Sequence, residues 1–108
     1  MSLDVYLKCE CCQSTLYEAN ITHNLGDMAR QAGIYHVVWR PEEVGITRAK
    51  QLIPPLQTAL WLIKMYPDFF KQFNARNGWG LYKHFVPWLR KYLEACIQYP
   101  EALVEVSR

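Results

Sequence analysis

Glycine and proline are scarce in this chain, at five and six of 108 residues, which excludes a collagen-like repeat or a low-complexity linker protein. Net charge is equally small. Twelve basic side chains stand against ten acidic ones, a balance of +2 that gives no strong nucleic-acid footprint. Long apolar runs are missing: Ala59 to Met65 is interrupted by Lys64 and falls far short of the roughly 20 residues that span a bilayer. The opening Met1-Ser2-Leu3-Asp4 lacks the basic stretch and apolar core of an export signal. These absences lead to the expectation of a cytoplasmic protein that does not enter membranes.

What the chain has in plenty is apolar surface. Hydrophobic residues make up 51% of it, including four Trp, seven Tyr and four Phe, so disorder is excluded and one domain over residues 1–108 is expected. Charge is unevenly placed. Residues 1–36 hold Lys8 and Arg30 against four acids, and residues 37–108 hold ten bases against six acids.

Two segments alternate with the period of a strand, Val5 to Cys9 and Ala102 to Val106. Since an unpaired strand leaves backbone donors and acceptors open, these two are expected to pair with each other and bring the chain ends together. Between them the period is helical. Ile21, Leu25, Met28, Ala29 and Ala32 form one apolar stripe ending at Gly33. Ile34 to Trp39 reads as a buried extended piece, and Pro41 opens a single acidic turn closed by Gly45. A helix capped by Thr47 and running to Tyr66 should kink or restart at Pro54-Pro55, with Leu56, Ala59, Leu60 and Ile63 inward. A short helix over 68–73, a loop over 74–80 and a long helix over 81–99 with Pro87 inside complete the pattern. The expected fold is mostly α, within the α+β class: three main helices plus short ones, and a small sheet made by the two terminal strands.

Three stretches could carry chemistry. Cys9-Glu10-Cys11-Cys12 contains a C-x2-C pair, whose thiolates suit zinc, and His23 is a candidate third ligand beside Cys9 and Cys12. The plain alternative is a set of small reduced thiols at a strand end and no cofactor at all. Asn20-Ile21-Thr22-His23-Asn24 offers capping residues together with one imidazole, which Asp27 could orient. Ser14 and Thr15 form no defensible triad with it, so an enzyme centred on His23 is the weaker reading and no catalytic residue is assigned. Asn77-Gly78-Trp79-Gly80 places a tryptophan on a sharp turn. Trp79, and Trp39 with Arg40, are candidate partner-binding residues, against the ordinary alternative of core packing. On the last helix Lys83, Arg90 and Lys91 fall opposite the aromatics, which is the layout of a core helix and not of a nucleic-acid surface.

The segments Tyr17–Asn24, Trp39–Glu43, Asn77–Gly80 and Val104–Arg108 resemble a family of small proteins met in bacterial genomes and in phages or prophages. The resemblance spans nearly the whole chain and implies an accessory protein of mobile-element origin. It brings no catalytic residue or cofactor with it. The leading expectation is therefore a non-enzymatic module that acts through another protein, with a homo-oligomer left open. A zinc-stabilised module and a small His23 enzyme are the alternatives.

Overall fold

The computed structural model describes residues 2–108. Its first strand, β1 (Ser2–Lys8), sends Leu3, Val5 and Leu7 fully into the core and Ser2, Asp4, Tyr6 and Lys8 outward, as its period-two pattern requires. A turn over residues 9–14 reverses the chain, closed by the Cys9 amide donating to the Ser14 carbonyl at 2.8 Å and by Gln13 in the left-handed region at φ 62°. The strand that follows, β2 (Thr15–Thr22), returns antiparallel with Leu3 opposite Ile21 and Val5 opposite Ala19. The last strand, β3 (Leu103–Ser107), pairs with the other edge of β1, Val5 opposite Val106 and Leu7 opposite Val104. The sheet order is β2-β1-β3.

The first and last strands thus meet as their patterns imply, but the sheet has three strands and not two. Tyr17, Ala19 and Ile21 turn inward while Glu18, Asn20 and Thr22 turn out. With β3 on one edge, β1 would expose its other edge without β2. Ile21 therefore belongs to the sheet, and the helical stripe expected from it starts later.

That stripe is short. Thr22 Oγ1 accepts from the Asn24 amide at 3.2 Å and opens a 3-10 turn over His23–Leu25, which leads into α1 (Gly26–Gln31). Gly33, at φ +78°, stops it. The next piece corrects an expectation: Ile34 to Trp39 is not extended but contains the helix α2 (Tyr35–Trp39). Tyr35 and Trp39 stack with ring centroids 5.6 Å apart, a contact that the four-residue spacing of a helix creates.

After 3-10 turns over Pro41–Val44 and Ala49–Gln51 comes α3 (Ile53–Met65), with Pro54 and Pro55 in its first turn, where no N–H is needed. Thr47 does not cap α3, whose first turn has no side-chain cap; Gln51 Oε1 instead closes the 3-10 turn before it by accepting from the amides of Thr47 and Arg48, each at 2.8 Å. Then α4 (Pro67–Lys71) and α5 (Tyr82–Gln98) follow. Two helices are long, at 13 and 17 residues, and the others span five or six, so the architecture is α+β with two main helices instead of three.

The long helices pack against each other and α5 lies on β2. Leu56, Ala59, Leu60 and Ile63 of α3, with Phe85, Leu89, Tyr92 and Cys96 of α5, form the core with Leu3, Val5 and Leu7. Opposite chain ends are pinned by Arg48. Its guanidinium grips both oxygens of Glu10 in the β1–β2 turn, at 2.6 and 3.0 Å, and donates to the Glu101 carbonyl at 2.9 Å. The Arg48–Glu10 hydrogen bonds, more than simple Coulomb attraction, hold the Glu10 carboxyl below its ordinary range.

The Tyr92 hydroxyl is buried without a hydrogen-bond partner among the described residues, its ring stacked on Tyr17 at 6.0 Å, and burial pushes the phenol far up. A buried donor lacking an acceptor costs about 1–3 kcal/mol, so Tyr92→Phe should leave thermal stability unchanged or raise it by about 1 kcal/mol. A clear loss of stability in calorimetry would contradict this.

Candidate functional site

His23, Trp39, Asn24 and Trp79 are brought together by the end of β2. The Trp39 indole N–H donates to His23 Nδ1 at 3.0 Å, and Trp39 itself is 2% exposed. Trp39 is therefore packed in the core, the ordinary alternative to the partner-binding role expected of it. Arg40 pairs with Glu43 at 2.9 Å. The Trp39 carbonyl takes a bond of 2.9 Å from Arg108, which also pairs with Glu42. From the other side Asn24 Nδ2 donates to the Trp79 carbonyl at 2.7 Å. The four segments that carry the sequence resemblance thus touch one another: 17–24 meets 39–43 and 77–80, and 104–108 meets 39–43.

His23 takes an indole and not a carboxylate, for Asp27 pairs with Arg30 at 2.8 Å. The zinc trio is parted by the hairpin. Cys9 and Cys12 lie at the turn and His23 at the far end of β2, roughly 25 Å away at strand rise. Among the described residues no group of three or more His, Cys, Asp and Glu side chains is placed to hold a metal ion. A zinc ion at these cysteines would need ligands other than His23.

The thiols differ sharply in character. Cys12 is exposed, and its Sγ lies 3.0 Å from Ser14 Oγ, which lowers its pKa. Cys96 is buried, and desolvation pushes it up to about 12. Thiolate is the reactive form, so iodoacetamide at neutral pH should modify Cys12 quickly and leave Cys96 intact in the folded protein. Equal labelling of the two, read by peptide mass spectrometry, would contradict the placement.

Trp79 stands out on a loop fixed from both sides. Its amide donates to Asn77 Oδ1 at 3.0 Å, and a Cβ on Gly80 (φ +119°) would lie 2.9 Å from the Asn24 Cβ. The backbone is held close while the indole stays 72% exposed. Two recesses of about 420 and 590 Å³ border it. Trp88 lines the smaller one, and its indole N–H is buried with no acceptor in the described residues.

The second feature carries no signal in the motifs. Trp61 and Met65 on α3, then Tyr66 and Phe69, are 60%, 55%, 54% and 46% exposed. Trp61 and Met65 stand one turn apart on α3; Tyr66, at φ −127° and ψ 58°, breaks the helix, and Phe69 follows on α4. Lys64 and Lys71 are their neighbours in sequence, the Lys71 ammonium lying over the Tyr82 ring, 5.3 Å from its centroid. Six cations of the chain form ion pairs: Lys8, Arg30, Arg40, Arg48, Lys50 and Arg108. The other six, Lys64, Lys71, Arg76, Lys83, Arg90 and Lys91, form none among the described residues, and all fall between α3 and the middle of α5, where Asp68 is the sole acid. The spacing of Trp61 and Met65 was readable, but a four-residue interval does not say which side of a helix faces solvent.

No helix of the described residues is long and apolar enough to cross a membrane. Neither a family model, nor a curated protein, nor a solved structure matches this chain.

Proposed function

We infer that the chain is a non-enzymatic module that binds another protein, taking an acidic amphipathic segment of its partner onto the ridge of Trp61, Met65, Tyr66 and Phe69. The observation that carries this reading is the exposure of four large apolar side chains, each about half open, beside Lys64 and Lys71, which form no ion pair among the described residues. Covering them would favour a complex by on the order of 5 kcal/mol before the costs of association. Lys64 and Lys71, free of ion pairs among the described residues, select the charge of the occupant and disfavour a second copy, which would bring like charges together. An accessory role in a mobile element is compatible with such a module.

The test is fluorescence anisotropy with a labelled helical peptide carrying Leu on one face and Glu on the other. Binding should weaken at least about tenfold on Trp61→Ala, and similarly on Lys64→Glu with Lys71→Glu. Both lie on the surface, so stability should move by no more than about 0.5 kcal/mol. Tighter binding of oligo(dT) than of the peptide, or a dimer that dissociates on Trp61→Ala, would overturn the reading.

A further inference from the structure

The recesses beside Trp79 differ in chemistry from the ridge. Asn20, Thr22, His23, Asn24, Asn77 and His84 contribute amide, hydroxyl and imidazole groups to them, and no Lys, Arg, Asp or Glu among the described residues lines either one. A charged ligand would be desolvated there without a counter-charge. A wholly apolar one would leave the amides unpaired.

The amides are also partly committed in a way that leaves both polarities available. Asn20 Nδ2 donates to Ser2 Oγ at 2.8 Å and Asp4 Oδ1 at 2.7 Å, and Asn24 Nδ2 donates to the Trp79 carbonyl, so among the described residues each keeps its own Oδ1 as an open acceptor. Asn77 is the reverse, its Oδ1 taken by the Trp79 amide and its Nδ2 free to donate. Hydroxyl groups, which donate and accept at once, match this set. A large, exposed indole on a loop held by the Asn24–Trp79 and Ala75–Gly80 hydrogen bonds supplies a flat apolar surface.

We propose that this cleft binds a neutral saccharide of one or two rings, its apolar C–H face against Trp79 and its hydroxyls on Asn20, Asn24 and Asn77. The inference does not depend on the ridge. Cellobiose, di-N-acetylchitobiose and maltose are each titrated while the Trp79 indole N–H resonance is followed by NMR, with glucuronate and adenosine as charged and aromatic controls. At least one neutral disaccharide should shift that resonance saturably, with a Kd in the millimolar range. Trp79→Ala, read on the sugar signals, and Asn77→Ala should each weaken it at least about tenfold. Trp61→Ala should leave it unchanged. No saturable shift with any of the three, equal binding of either control, or full affinity in Trp79→Ala overturns the proposal.

Discussion

Trp39→Ala is expected to cost about 3–5 kcal/mol, a large share of the roughly 5–15 kcal/mol that holds a domain of this size together. The indole is 2% exposed, stacks on Tyr35 and donates to His23 Nδ1, so its removal opens a cavity and frees an imidazole acceptor at once. The midpoint of thermal unfolding should fall by on the order of 15–30 °C. His23→Ala removes only the acceptor and leaves the buried indole N–H unpaired, a loss of about 1–3 kcal/mol. Calorimetry of the two variants separates the terms. A Trp39→Ala protein as stable as the parent would mean that the indole is not in the core.

Phe70→Ala is the second large effect, and its contrast with Phe69→Ala links packing to binding. Helix α4 has five residues, far below the length at which a helix holds on its own, so tertiary anchorage decides whether it exists. Phe70, at 1% exposure, is the buried residue of that helix. Losing its ring should cost about 3–5 kcal/mol and release α4, and Tyr66 and Phe69 would leave the ridge with it. Phe69 points outward beside it. Phe69→Ala should change stability by less than about 1 kcal/mol while weakening binding of the acidic peptide at least about tenfold. Urea unfolding and peptide titration on the same two samples give both readouts. Similar losses of stability in the two variants would show that α4 is not held in this way.

The parts of the fold that were legible in the sequence share one property: a period strong enough to stand alone. Leu3, Val5 and Leu7 alternate cleanly, and Leu56, Ala59, Leu60 and Ile63 repeat at three and four. The second strand failed on that criterion, because Ala19 and Asn20 are poor strand formers and Ile21 also fits a helical stripe with Leu25. Pairing with the open edge of β1 decided it, and that is a non-local term. Ile34 to Trp39 went the other way: its Val residues suggest a strand, while Tyr35 against Trp39 and Ile34 with Val38 bury one side as a helix.

For the candidate sites, the tryptophan on the two-glycine loop was visible in sequence, since only a turn explains Asn77-Gly78-Trp79-Gly80. The division between Trp39, which is core, and Trp61, which is surface, was not. Both sit among apolar neighbours, and only the placement of α3 against α5 tells which face is covered. Nor could spacing along the chain reveal that Cys12 and His23, eleven residues apart, stand at opposite ends of one hairpin.

The most direct test of the central claim is to map amide and side-chain NMR shifts while the acidic amphipathic peptide is added to the intact protein. Changes confined to Trp61, Met65, Tyr66 and Phe69, with Lys64 and Lys71 at their border, and absent when every Glu of the peptide is replaced by Lys, are the predicted result. Shifts spread elsewhere, or equal shifts from the basic peptide, would contradict it.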